Sequence, residues 1–253
     1  MPAIEAVFFD LGDTISDLRE GHADYLHRVS QRAAHVYNVL SAAGAVIPDR
    51  DAFCTRLATD TEVRYLAAQA QLRSLTIYEA MRAFLEDVGL PADDGLVVAA
   101  GDAYCVGAKT PMPLRTGARE TLTALRDAGL KLGVISNTIQ PGRFMDASLR
   151  RQGLFDFFRA RLYSSEAGVP KPHPEIFQRA RAELDVPPER AVHVGDRLGA
   201  DISGAQGVGM RAVLIEVPQR PEQSDHIAPD ARIRELPELL AVPFVAAELH
   251  QRS

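Results

Sequence analysis

Residues 191–201 read Ala191-Val192-His193-Val194-Gly195-Asp196-Arg197-Leu198-Gly199-Ala200-Asp201, a short apolar run that stops at Gly-Asp and meets a second Asp five residues on. A run so short and so nearly apolar suits a strand covered on both faces, as in a parallel sheet. Comparable runs occur at 4–9, 131–135, 160–163 and 211–217, with a weaker one at 231–236. Helix-length segments lie between them. Residues 116–128 place Leu122 and Leu125 on one face, with Thr116 positioned to cap the start and Gly129 to stop the end. Residues 174–184 carry Ile176, Phe177, Ala180 and Leu184 at helical spacing. Strand alternating with helix predicts a doubly wound, Rossmann-like α/β core around a parallel sheet.

The stretch 17–108 breaks this alternation. Apolar residues recur there with a helical period: Leu18, His22, Tyr25, Leu26, Val29, Ala33, Val36, Tyr37 and Leu40 form one stripe, and Phe53, Leu57 and Leu66 a second. Thr76-Ile77-Tyr78-Glu79 is a capping box that opens a third helix carrying Met81, Phe84, Leu85 and Val88. Leu96, Val97, Ala100 and Tyr104 mark a fourth. The chain thus divides into a core of residues 1–16 and 109–253 and an inserted all-helical domain of residues 17–108. Thr110-Pro111-Met112-Pro113 is read as a stiff linker back to the sheet.

Composition narrows the partners. The 253 residues carry a formal charge of -6 and no Lys/Arg cluster, so neither nucleic acid nor an anionic membrane surface is expected as a partner, and a small molecule is. No apolar run approaches the roughly 20 residues that span a bilayer. The first residues show neither a basic region nor a cleavage site, so no signal peptide is expected. Cys54 and Cys105 suit a reducing cytoplasm better than a disulfide framework. Only three of the 28 basic residues are lysines, Lys109, Lys131 and Lys171, which makes each of them informative. The oligomeric state is not legible.

The polar residues that end the apolar runs carry the chemistry, because open α/β sheets bind ligands at the carboxyl ends of their strands. Ala6-Val7-Phe8-Phe9 delivers Asp10, followed by Leu11-Gly12-Asp13-Thr14; a carboxylate placed there either caps a loop or attacks phosphorus. Gly133-Val134-Ile135 ends in Ser136-Asn137, a hydroxyl and an amide. Lys171 sits between Pro170 and Pro172, held stiffly, and a compact ammonium is a good partner for clustered oxyanions. Asp196 and Asp201 offer two carboxylates at the end of a strand, the oxygen donors that Mg2+ prefers.

Phe9-Asp10-Leu11-Gly12-Asp13-Thr14, Ser136-Asn137, Lys171 and the pair Asp196 and Asp201 follow one another in the order of the four motifs of the haloacid-dehalogenase superfamily, and the whole chain resembles its phosphatases. The resemblance implies a helical cap of the first type over a Rossmann-like core and a Mg2+-dependent phosphatase acting on a small phosphorylated metabolite. It implies Asp10 as nucleophile, Ser136, Asn137 and Lys171 at the phosphoryl oxygens, and Mg2+ held by Asp10, the Gly12 carbonyl and Asp196, with Asp201 supporting the metal shell. One departure stands out. Family phosphatases usually carry an acid-base Asp two residues after the nucleophile, where this chain has Gly12, so either turnover is slow or another group such as Asp13, a cap residue or the substrate supplies the proton. A 2-haloacid dehalogenase needs no such Asp but lacks the pair seen here as Asp196 and Asp201. A phosphonatase needs a lysine in the cap, and 17–108 has none. A phosphometabolite-binding module with weakened catalysis is the alternative outside enzymes.

Overall fold

Successive residues of a strand face opposite sides of its sheet, and in β1 (Ala6–Phe9) both sides are fully buried. Val7 and Phe9 join one apolar cluster, Ala6 and Phe8 another. The computed structural model describes residues 3–17, 22–106, 112–218 and 223–251. Around β1 stand β2 (Lys131–Ser136), β3 (Ala160–Tyr163), β4 (Ala191–Gly195), β5 (Arg211–Ile215) and β6 (Ala231–Ile233), all parallel, in the order β3-β2-β1-β4-β5-β6. The chain moves outward from β1 through β2 to β3 and then returns to β4 on the other side of β1. That reversal is the topological switch point at which such sheets hold ligands.

Beyond the strands the core contains α5 (Ala118–Asp127), α6 (Gly142–Arg151), the short α7 (Ser164–Ala167), α8 (Pro174–Glu183), the short α9 (Gly204–Gly207) and α10 (Pro243–Gln251). Leu122 and Leu125 of α5, Leu149 of α6 and Val245 of α10 cover one face of the sheet, and Ile176, Phe177 and Ala180 of α8 the other. Gly133 in β2 is required by this packing, because a Cβ there would stand 2.6 Å from the Phe8 ring.

Between β1 and α5 run α1 (His22–Ala42), α2 (Arg50–Ala70), α3 (Ile77–Asp87) and α4 (Asp94–Val106), which bury a cluster of their own. Phe53 meets Tyr37 and Phe84 edge to face, with ring centroids 6.0 and 5.4 Å apart; burying each such ring stabilises by about 1.5–3 kcal/mol. The Thr76 capping box forms as read: Thr76 Oγ1 accepts from the Glu79 amide and Glu79 accepts from the Thr76 amide. The segments that lead into and out of this insert run side by side, with Asp17 N donating to Pro113 O at 2.7 Å, Arg115 N to Ile15 O at 2.9 Å, and Ser16 bridging Leu114. The insert rests on the core after β2, where Ile77 N donates to Ile139 O and Arg143 pairs with Asp102 at 2.5 Å.

Three local expectations are corrected. Thr116 does not cap α5: Gly117 occupies the N-cap position with a left-handed φ of 72°, and no side chain caps the helix. Leu66 does not join the buried stripe of α2 but is 56% exposed. The last strand ends at Ile233, and Leu236 begins a 3-10 turn instead. Leu18, Lys109, Thr110 and Pro111 lie outside the described residues, as do the side chains of His22, Tyr25 and Leu26.

Candidate active site

Asp10 leaves β1 at the switch point, tied to the next strand by its amide, which donates to Val194 O at 2.9 Å. It is 8% exposed, and its carboxylate accepts from Lys171 Nζ at 2.7 Å. The same ammonium donates to Asp201 Oδ1 at 2.6 Å. Lys171 therefore bridges two carboxylates while itself 3% exposed. Burial would drive the ammonium's pKa down, but Asp10 and Asp201 overcome it and hold the group above the ordinary lysine range. For Asp10 the balance is reversed. Burial, together with the nearby charges of Asp201 and Asp196, outweighs Lys171 and pushes its carboxyl up to about 7.

Asp201 is fastened on both oxygens. Oδ1 accepts from Lys171 and lies 2.9 Å from His193 Nε2, and Oδ2 accepts from the Arg197 amide at 2.9 Å. Burial would raise its carboxyl, but Lys171 and His193 more than offset this and keep it well below the carboxylate range. His193 is fully buried against the Phe177 ring, which holds its pKa below the usual histidine value. A neutral ring beside an ionised carboxylate donates from Nε2, in agreement with Nδ1, which has no hydrogen-bond partner. Gly195 allows this arrangement: a Cβ there would stand 2.2 Å from Asp201 Cγ. The turn 198–203 that carries Asp201 is a single π-helical turn, a feature frequent at functional sites.

The sequence-based site residues converge on one cavity of about 540 Å3, lined by Asp10, Gly12, Asp13, Ser136, Asn137, Lys171, Asp196 and Asp201. Ser136 is buried at the end of β2. Asn137, expected at the phosphoryl oxygens, spends its amide on the main chain of Lys171: Oδ1 accepts from Lys171 N at 2.8 Å and Nδ2 donates to Lys171 O at 3.0 Å. Asp201, expected to support a metal shell, has both oxygens engaged by protein groups and backs up Lys171. Asp13 sits at the turn after Asp10 with a φ of 57°, and its carbonyl accepts from Arg115 Nη1 at 2.7 Å. A non-glycine residue in that conformation costs on the order of 1–3 kcal/mol and persists where its surroundings over-determine it.

Several residues of the site were not singled out from sequence. Arg115, 2% exposed, donates not only to Asp13 O but also to Glu216 O and Arg234 O, so one guanidinium fixes the loop after β1 to the ends of β5 and β6. From the insert, Tyr65, Leu66 and Gln69 form the roof of the cavity. Tyr65 and Gln69 are one turn apart on α2, a spacing that signals a shared face, though not what the face covers. Leu66 is exposed because it looks onto this cavity. A second cavity of about 280 Å3 opens between insert and core beside Gly12, Ser136 and Asn137, with Leu11, Ile139, Met145 and Tyr104 among its apolar walls and Arg32 and Glu62 as its charged pair.

Comparison with known proteins places this site in a family. Residues 4–209 match the haloacid dehalogenase-like hydrolases. A glyceraldehyde 3-phosphate phosphatase of Methanothermobacter thermautotrophicus is 29% identical over 228 residues, covering 88% of this chain and 91% of that protein. The enzyme of the same name from Pyrococcus furiosus is 41% identical over 133 residues, so this match spans only about half the length of each, 50% and 52%. Among solved structures, a phosphatase from Thermococcus onnurineus and a 2-haloacid dehalogenase from Pseudomonas syringae pv. Tomato are each 26% identical, with 95% of this chain and 98% of theirs covered and TM-scores of 0.63 and 0.69. With its profile matched over most of its length, its sheet order and its buried Asp-Lys-Asp cluster at the switch point, the chain belongs to the haloacid dehalogenase-like hydrolases.

Proposed function

We propose that the protein is a Mg2+-dependent phosphate monoester hydrolase that acts on a small phosphorylated metabolite through an aspartyl-phosphate at Asp10. The observation that carries this reading is the charge of the cavity. Four carboxylates, Asp10, Asp13, Asp196 and Asp201, line it against two cations, Lys171 and Arg197, and burial has already pushed Asp10 up to about 7. An excess of two negative charges fits a divalent cation. Among the described residues no group of three His, Cys, Asp or Glu side chains forms a cage; a hard ion such as Mg2+ takes one or two carboxylates and keeps water and phosphate as its other ligands. Asp10, the Gly12 carbonyl and Asp196 would hold it, with Asp201 behind them. Bound there, such a cation would neutralise the approach of one anion to another and stabilise the charge of the transferring group.

The chain's own residues account for the rest. Lys171 and Ser136 bind the phosphoryl oxygens, and Asn137 holds Lys171 in place. Asp10 Oδ attacks phosphorus, the bond from phosphorus to the ester oxygen breaks, and the leaving alcohol takes up a proton. Water then attacks the acyl phosphate, releasing inorganic phosphate and restoring the carboxylate. Position 12 has no side chain to move these protons. Tyr65 is a weak donor, since burial and the charge of Asp10 hold its hydroxyl well above the usual tyrosine range. We assign the transfer to Asp13, the remaining carboxyl of the cavity. The four-helix insert serves as the cap and sets substrate choice through the cavity beneath it. The phosphatases among the relatives favour a small phosphorylated substrate. No helix of the described residues is long and apolar enough to cross a membrane, and with Cys54 and Cys105 both buried and free we place the protein in the cytoplasm.

The similarity to a 2-haloacid dehalogenase supports a second reading, in which Asp10 displaces halide without metal. Asp196 has no task in that chemistry. The two readings part in one experiment: phosphate release from phosphorylated metabolites and an aryl phosphate, with Mg2+ or with chelator, for wild type and Asp10→Asn, alongside halide release from 2-haloacids. Mg2+-dependent phosphate release that disappears in Asp10→Asn is the expected result. Halide release alone would replace the phosphatase with the dehalogenase.

A further inference from the structure

A side chain of the insert bonds the residue that grips Lys171. Gln69, in the last turn of α2, accepts at Oε1 from Asn137 Nδ2 at 3.3 Å. The other hydrogen of that amide goes to Lys171 O, and Asn137 Oδ1 receives Lys171 N. The orientation of the Asn137 amide is fixed by chemistry, because turning it over would set an N–H against the Lys171 N–H. Prolines at 170 and 172 stiffen the main chain that the amide grips, so its position passes directly to the ammonium on Asp10 and Asp201. The same part of the insert docks on the same part of the core. Ser74 Oγ donates to Ser164 O at 2.6 Å and Ile77 N to Ile139 O at 2.8 Å, while Ser164 Oγ accepts from Thr138 N.

We propose that Gln69 is a positioning residue that couples docking of the insert to the alignment of Lys171. With the insert docked, both hydrogens of the Asn137 amide have protein acceptors and the clamp on Lys171 is complete. With it undocked, one hydrogen loses its acceptor and the amide gains freedom to pivot. The catalytic meaning of this coupling rests on the phosphatase reading; the coupling itself does not.

Two readouts on full-length protein test it, using wild type, Gln69→Met, Asn137→Ala and the double variant. Exchange at the Lys171 amide, which stands between the prolines at 170 and 172, is followed by NMR. A lost neutral hydrogen bond is worth about a fivefold change. Exchange at Lys171 is expected to quicken about fivefold in Gln69→Met, at least as much in Asn137→Ala, and no further in the double variant. With p-nitrophenyl phosphate, kcat should fall in the same pattern while KM stays within about twofold, because Lys171 acts on charge that develops in the transition state. Unchanged exchange in Gln69→Met, or effects that multiply in the double variant, would overturn the proposal. Exchange that follows the pattern in a protein that releases no phosphate would sink the phosphatase reading and leave the coupling standing.

Discussion

Replacing Lys171 by Met keeps most of the buried stem and removes the ammonium that bridges Asp10 and Asp201. Both carboxylate oxygens lie within hydrogen-bond distance of one nitrogen, at 2.7 and 2.6 Å, and are therefore at most about 5.3 Å apart. Two like charges about 5 Å apart repel by roughly 3 kcal/mol at an effective dielectric constant of about 20. Removing one partner of a buried ion pair costs about 3–5 kcal/mol in measured cases. The two figures agree, and the variant relieves part of the cost by keeping a proton on Asp10. The sign with pH follows. The Asp10 carboxyl already stands at about 7 in the wild type, above its unfolded value, so its protonated form favours the fold at low pH and that contribution is lost as pH rises through 7. Without Lys171 the carboxyl moves higher still, and at pH 8 the variant loses stability that the wild type, deprotonated next to its ammonium, retains. Urea unfolding of metal-free protein should therefore show Lys171→Met destabilised by about 3 kcal/mol at pH 8, with the deficit about 1 kcal/mol smaller at pH 6. A deficit below about 1 kcal/mol at pH 8, or one that does not change with pH, would refute the buried charge cluster described above.

Metal binding should follow the same proton. A cation at Asp10 competes with protonation below about pH 7, so calorimetry is expected to find Mg2+ affinity falling by up to tenfold per pH unit under that point, with one proton released per ion bound; an affinity flat from pH 5 to 8 would remove Asp10 from the ligand set. Arg115→Lys is expected to cost about 2–4 kcal/mol in urea unfolding, because one ammonium cannot span the carbonyls of Asp13, Glu216 and Arg234 and leaves at least one of them unpaired. A lysine that restored wild-type stability would show that the fork geometry is unimportant there.

The legible parts of the molecule were those written in local pattern. Continuous apolar runs announced buried parallel strands, and because every such strand ends on the same edge of the sheet, Asp10, Ser136, Lys171 and Asp196 could be expected near one another before any distance was known. The residues that stayed hidden take their meaning from distant segments. Arg115 is one of 25 arginines, and its burial makes sense only once residues 13, 216 and 234 meet around it. Gln69 and Tyr65 occupy the polar side of α2, which helical periodicity assigns to solvent; it cannot tell solvent from a cavity under a lid. Leu66 shows the converse, since an apolar residue at helical spacing marks a core as readily as a cavity wall. Thr116 was displaced as a cap because the turn needs a left-handed residue, and Gly117 supplies it. Asn137 showed a donor and an acceptor in the right place, but not that the main chain of Lys171 would engage both.

The paired segments at 15–17 and 113–115 make the insert an appendix with a closed base. Its two ends pair with each other outside the strands of the sheet, so whatever is strung between them adds nothing to the register of β1 against β2 and β4. A different helical bundle, or a short hairpin, spliced between these same two positions would leave Asp10 and the strand that carries it in place, but would have to supply a new acceptor for Asn137 where Gln69 now stands. The insert can thus be exchanged only together with the contacts by which it touches the core, that of Gln69 with Asn137 among them.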